Sequence, residues 1–377
     1  MERLVLITDS LTGPPAQNRP AIVLAEELSR EFKVEFYAPC MDDGEIKELL
    51  SGFTVKTNKP RCGYWYPGQA TIENLLPKID WGWVGDALTI NFSNQLPVPS
   101  GIYYFQGFLS EFSRDFRRYW QGRELKFRVS VALIGHPIFK LVDWVWARAL
   151  RGSKAVVANS ILSANQLAWH NVRVDGVVEP PINRWLIKEY IGFEPPSDRE
   201  YVLLHIGKET VLPWALKAVK AAIDELGSRV KAVMVFGAKF NTLPAWFIRG
   251  LGSLGRDVIQ VSHYVREREM PKIYGEALLT VFTYNHEPYG YVPIESLMAG
   301  TPAIAIGPDG HGPYYTALRY RHAAWLPPGF TPEDVKAVIR RWGDLTVPIE
   351  ERQEVALHHD PSEYAGEMLR FIESLLG

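Results

Sequence analysis

Cysteine is nearly missing: Cys40 and Cys62 are the two that 377 residues contain. They have no metal-ligand spacing and form no disulfide framework, so a reducing compartment, the cytoplasm, is the expected setting. Net charge is nearly missing as well. With 41 Lys and Arg against 43 Asp and Glu the chain carries −2, which excludes the electrostatic footprint of a nucleic-acid binder. No window approaches the ~18 consecutive apolar residues of a membrane-spanning helix. The apolar run at the N-terminus is too short for a signal peptide and reads as a first strand. Charged residues make up only 22% against 47% apolar, so long disordered tails are not expected. Carboxylate clusters fit for a metal are absent too. Asp42 and Asp43 read as a solvated pair before a short helix, and neither a metal site nor a cofactor is expected.

What the chain has in abundance is alternation of strand and helix patterns. Leu4 to Thr8 reads as a strand, and Asp9 to Pro20 as a turn-rich loop holding Gly13, Pro14, Pro15 and Asn18. A helix follows, with Ala21, Leu24, Ala25 and Leu28 at i, i+3, i+4 and i+7, and then the strand Val34 to Ala38. Asp80 to Gly85 and Ile102 to Phe105 also read as strands. His136 to Leu150 reads as a helix turning Ile138, Leu141, Val142, Val145 and Ala149 towards the core, followed by the strand Ala155 to Ala158 and a helix cap at Asn159 or Ser160. The second half repeats the scheme. Tyr201 to Ile206, Lys231 to Phe236 and Val258 to Val261 are strands, and Leu216, Val219, Ile223 and Leu226 line one helix face. Such alternation predicts an α/β protein with parallel, doubly wound sheets and right-handed crossovers, and the length predicts two domains. Glu179 to Asn183 is a proline-stiffened crossover between them.

The most informative stretch runs from Thr280 to Ile306. It combines a buried strand, a loop turned by Gly290, a helix with Pro293 in its first turn, a stop at Gly300 and a second strand. The amides around Gly290, Tyr291 and Val292 sit at the positive end of a helix dipole, which suits a phosphate. Glu287 in the loop and Glu295, placed in the first helical turn, would repel that phosphate. They make sense if they accept hydrogen bonds from hydroxyls that arrive with it, as on a nucleotide or nucleotide sugar.

Glu287-Pro288-Tyr289-Gly290, then Glu295, then Gly300-Thr301-Pro302 resembles the donor-site signature of the family 4 retaining glycosyltransferases. The resemblance implies a GT-B architecture, two Rossmann-like parallel-sheet domains facing a central cleft. It implies transfer of a sugar from a nucleotide diphosphate sugar to a glycan, lipid-linked or protein acceptor, with no metal. It places Glu287 at the donor-sugar hydroxyls as the catalytic residue, Gly290, Tyr291 and Val292 at the β-phosphate, Glu295 at the ribose and Tyr289 among the donor-binding residues. Gly13, Gly207 and Lys208 approach the phosphates. Gln106 stands where the family often has a histidine near the reacting sugar, and His263 and Tyr264 lie in the segment beside the base. The expected organisation is an acceptor-side domain over 1–183, a linker over 184–199, a donor-binding domain over 200–360 and, over 361–377, a helix that packs back across the junction. Its inner face would carry Met368, Phe371, Ile372 and Leu375.

The chain departs from the family pattern in several places. Lys208 replaces the usual Arg, the second phosphate cation is missing near Pro213 and Trp214, and Tyr314 replaces a glutamate. A non-catalytic nucleotide-sugar-binding pseudoenzyme and a sugar-nucleotide 2-epimerase are therefore the alternative readings. The segment with Arg114, Arg117, Arg118 and Trp120 reads either as a solvated helix face or as a grip on an anionic acceptor or the inner membrane face.

Overall fold

The computed structural model describes residues 2–12, 18–42, 44–59, 62, 78–108, 110–111, 114, 136–207, 210–237, 243–261 and 265–376. The chain divides into two compact units. The first is made of 1–111, 134–184 and 359–377, the second of 112–133 and 185–358. Residues 184–192, expected to be linker, form a helix, and all but its first residue belong to the second unit. Leu186 and Tyr190 are buried, so apolar spacing overrides the linker-like composition around it.

The first unit is built on β1 (Arg3–Ile7), β2 (Lys33–Cys40), β3 (Thr54–Lys59), β4 (Leu88–Asn91), β5 (Ile102–Phe105), β6 (Ala155–Ala158) and β7 (Gly176–Val177). All pair in parallel in the order β3-β2-β1-β4-β5-β6-β7, with Val5 opposite Glu35 on one side and Thr89 on the other. The chain turns back in strand order at β1 and β4. Their carboxyl ends hold a buried polar network that the sequence reading missed: Asp9 accepts from the Ser93 hydroxyl and from the amide of Gln95, both at 2.7 Å.

Helix α1 (Arg19–Leu28) buries Ala21, Leu24, Ala25 and Leu28, as its spacing predicts. Asp80 to Gly85 is not a strand. Asp80 caps the short helix Trp81–Val84 by accepting from the amide of Trp83 at 3.1 Å, and the strand begins later, at Leu88. Local capping by an Asp outcompetes the apolar run.

Helix α2 (His136–Gly152) forms where expected but buries a different stripe. Val142, Trp146, Ala149 and Leu150 are in the core, whereas Ile138 and Leu141 are exposed. Helix α3 (Ile161–Trp169) is capped by Ser160, whose hydroxyl accepts from the amide of Ser163.

Cys40 and Cys62 are joined in a disulfide, contrary to the expectation of two free thiols. Cys40 ends β2, and Cys62, three residues past the end of β3, lies alongside it, with Asp42 accepting from the amide of Cys62 at 3.1 Å. The argument from free thiols for a reducing compartment therefore falls away.

The second unit holds β8 (Tyr201–His205), β9 (Ala232–Phe236), β10 (Asp257–Gln260), β11 (Ala277–Thr283), β12 (Ala303–Ile306) and β13 (Ala323–Leu326), again all parallel, in the order β10-β9-β8-β11-β12-β13. Its core packs β8, β9 and β11 against helix α4 (Leu212–Leu226), which buries Ala215, Val219, Ile223 and Leu226. Among the described residues, no helix is long and apolar enough to cross a membrane.

Candidate active site

Sheet order locates the site. Strand β8 is followed by β9 on one side, while the chain later resumes on its other side with β11 and β12, so the direction of winding reverses between β8 and β11. In such a sheet the crevice at the carboxyl ends of those two strands is where a ligand fits. The segments leaving those ends are 206–211 and 284–290.

Strand β11 is wholly buried and delivers the chain into the 284–290 loop. Helix α5 (Tyr291–Met298) follows. Its cap is Gly290, at φ 84° in the left-handed region that glycine enters without strain, and no side chain caps the first turn. The helix is moored from below. Ser296 donates to the carbonyl of Thr301 at 2.9 Å and shares a 2.8 Å hydrogen bond with the Thr280 hydroxyl of β11. Because α5 starts at Tyr291, Glu295 stands in its second turn rather than its first, and it is buried. Glu287 is half-buried in the loop.

The loop is fixed by the segment leading into the next helix, α6 (Gly312–Arg319). The amide of Glu287 donates to His311 Nδ1 at 3.0 Å, and the amide of Gly312 donates to the Glu287 carbonyl at 3.0 Å. His311 therefore carries its neutral-form proton on Nε2. Its ring lies beside those of Tyr284 and His286, with centroids 5.6 and 5.3 Å away. Tyr284 donates to the Pro308 carbonyl at 2.9 Å, and burial raises its pKa well above the phenol value. Tyr289 and Tyr291 meet edge to face at 5.1 Å. Close approach is absolute at Gly312, where an added Cβ would lie 1.6 Å from the Tyr289 carbonyl oxygen.

On the β8 side, the amide of Gly207 donates to the Thr210 hydroxyl at 2.8 Å. Just before it stands His205, which shares a 3.1 Å hydrogen bond with the Tyr274 hydroxyl and lies against Phe236 and Phe282. Part of the residue reaches solvent, but its ring is enclosed, and that burial pushes its pKa down to about 4. It is neutral at neutral pH.

Of the residues singled out from sequence, the fold brings Gly207, Glu287, Tyr289, Gly290, Tyr291, Val292 and Glu295 to the carboxyl ends of adjacent strands of one sheet. Gln106 belongs to the first unit, where its amide donates to the Phe92 carbonyl at 3.0 Å. Gly13, Lys208, His263 and Tyr264 lie outside the described residues, as do Arg117, Arg118 and Trp120. Lys217 is no replacement for the second cation, since its ammonium is bonded to the Phe330 carbonyl and sits 4.3 Å from the centre of that ring. His311, Tyr284, Thr210 and His205 were missed. His311 meets its partner across 24 residues, a distance at which sequence patterning is silent.

Residues 252–356 match the family model of glycosyl transferases group 1. The stretch lies wholly in the second unit and contains β11, Glu287, α5 and Glu295. A mannosylfructose-phosphate synthase from Agrobacterium fabrum is 38% identical over 85 residues, 22% of this chain and 18% of that protein. This chain thus aligns with less than a fifth of the length of that relative. Among solved structures, the sucrose-phosphate synthase of Thermosynechococcus elongatus superposes with a TM-score of 0.66 at 14% identity, over 100% of this chain and 99% of that one. Anabaena HepE in complex with UDP-glucose superposes with a TM-score of 0.63 at 16% identity, over 99% and 100%. At these identities the likeness is one of fold, and each unit of this chain is a Rossmann-like domain of the kind found in GT-B glycosyltransferases.

Proposed function

We propose that the protein is a retaining glycosyltransferase of family 4 that transfers a hexose-type sugar from a nucleotide diphosphate sugar to an acceptor hydroxyl. The observation that supports this best is the placement of the Glu287 loop and the uncapped start of α5 at the switch point between β8 and β11, beside Gly207. The match of this stretch to group 1 glycosyltransferases and the UDP-glucose bound by a protein of like fold agree with it.

In this reading the β-phosphate rests on the amides of Gly290, Tyr291 and Val292, with Lys208 supplying positive charge. As the bond from the sugar to the leaving nucleoside diphosphate lengthens, the helix dipole stabilises the negative charge gathering on that phosphate. Glu287 orients sugar hydroxyls and faces the positive charge developing in the ring. Glu295, buried in the second turn of α5, accepts hydrogen bonds from the ribose hydroxyls. The reaction requires no metal.

A second reading, a nucleotide-sugar-binding protein without turnover, is favoured by one observation: Lys217 is engaged by Phe330 and so does not stand in for the second cation. One experiment separates the two. UDP, GDP, ADP and their sugars are screened by thermal shift, and hydrolysis or transfer of the sugar that binds is then followed for the wild type and Glu287→Gln. The proposal expects turnover to fall by about 10² or more while affinity for the bare diphosphate stays within twofold. A normal rate in the variant removes the catalytic role. Binding without any turnover in the wild type leaves the second reading.

A further inference from the structure

Helix α2 carries two apolar stripes and the fold buries only one. Ile138, Leu141 and Trp144 form the other, 37%, 50% and 57% exposed and spaced three apart along the helix. Isolated apolar side chains on a surface need no explanation, but three in register on one helix do. The neighbouring charges show what they face. The exposed charged side chains of this helix are Lys140, Arg148 and Arg151, all cationic, and its one acid, Asp143, is buried where it accepts from the amide of Ser110 at 2.9 Å.

The patch extends to the next helix. Strands β5, β6 and β7 are laid down in order across the sheet, so right-handed crossovers put α2 and α3 side by side on one face. The guanidinium of Arg151 joins their ends by donating to the carbonyl of His170 at 2.7 Å. Helix α3 adds Ile161 and Trp169 to the exposed apolar residues and contributes no charge. Charge is also segregated on a larger scale. Between Arg114 and Lys154 the sequence holds ten Lys and Arg against three acids, in a chain whose net charge is −2.

We infer that the outer face of α2, with Ile138, Leu141 and Trp144 set among Lys140, Arg148 and Arg151, lies on the surface of an anionic lipid bilayer. A Trp and aliphatic stripe framed by Lys and Arg is the composition of a helix that sits in the headgroup layer with its apolar side chains reaching about 5–10 Å inward. Other occupants fit less well. A second copy of the chain would set the same cations against each other across a two-fold interface. A nucleic acid would use the cations and leave Ile138, Leu141 and Trp144 without a role. The inference stands independently of the donor proposed above, since it concerns the first unit alone.

The test is sedimentation of the full chain with vesicles of phosphatidylcholine, alone or with about a third phosphatidylglycerol. Binding to the mixed vesicles is expected, and little binding to the neutral ones. The double change Lys140→Glu and Arg148→Glu should lower the partition coefficient by about a hundredfold or more, since each cation near an anionic surface is worth about fivefold. Leu141→Gln with Trp144→Gln should lower it by about tenfold or more at unchanged charge. Both changes are at exposed positions, and unaltered melting temperatures show that the fold is kept. Three results would overturn the inference: no sedimentation with either vesicle, variants that sediment like the wild type, or a dimer that the Leu141 and Trp144 changes dissolve. DNA binding that survives those changes, with no vesicle binding, would overturn it equally.

Discussion

Gly312→Ala adds one methyl group and tests whether the 287–290 loop is the place where the chemistry happens. The new Cβ would meet the Tyr289 carbonyl oxygen at 1.6 Å, its carbon at 2.2 Å and its Cα at 2.5 Å, all backbone atoms with no rotamer to escape into. An ordinary contact needs more than 3 Å, so the two segments must separate by about 1.5 Å. That movement breaks the 3.0 Å hydrogen bonds that join Glu287 to Gly312 and to His311. Two lost hydrogen bonds cost about 1–3 kcal/mol, which in a domain of this size lowers the melting temperature by about 3–10 °C and leaves it folded at 25 °C. A displacement of this size at a carboxylate that orients the sugar costs about 10² in rate. The expected result is therefore a hundredfold loss of kcat in a folded protein, measured by sugar transfer beside a melting curve. His311→Ala removes the acceptor of the Glu287 amide and a ring that lies beside Tyr284 and His286 but leaves the Gly312 hydrogen bond to Glu287, and should cost less, about fivefold to tenfold. A Gly312→Ala protein with unaltered turnover would refute the assignment of the loop, since no smaller movement accommodates the added atom.

Further outcomes follow from the same geometry. Glu295→Ala should weaken nucleotide binding at least tenfold in calorimetry, because hydrogen bonds to a carboxylate are worth about 1.5–3 kcal/mol each; unchanged affinity would move the ribose elsewhere. Turnover should persist in excess EDTA, and strict dependence on added magnesium or manganese would contradict a phosphate site built from helix amides and Lys208. His205, with its pKa lowered from 6.5 to about 4, is held neutral by the fold. Its contribution to stability is complete above pH 6.5 and is lost as pH falls towards 4, by at most about 3 kcal/mol. His205→Gln should flatten the dependence of melting temperature on pH within that window, and an unchanged slope would show that the ring is more open than its contacts suggest.

The sheets were legible because strands such as Leu278 to Phe282 and Tyr201 to Ile206 are short apolar runs between turn residues, a pattern that local sequence carries by itself. Helix α5 was legible for a similar reason, since Gly290, Pro293 and Gly300 mark its entry and exit. What escaped depends on partners far apart in the chain. Ile138 and Leu141 have the same periodicity as Val142, Trp146 and Ala149, and only the sheet beneath decides which stripe faces inward. The Cys40 to Cys62 bridge has no local signature at a separation of 22 residues. Asp80 shows a different failure, in which a capping interaction spanning three residues beats a strand-like composition.

Helix α7 (Pro361–Leu376) adds Tyr364, Ala365, Met368 and Ile372 to the core formed by β1, α1 and β2, so residues 361–376 complete a unit that β1 begins. Domains usually mature on the ribosome in the order in which they are made. Here the order is inverted. The second unit has all of its segments by residue 358, whereas the first lacks Tyr364, Ala365, Met368 and Ile372 of its core until residues 361–376 have emerged. A truncation before Pro361 should yield a soluble, folded second unit attached to a first one that chaperones and proteases recognise as incomplete.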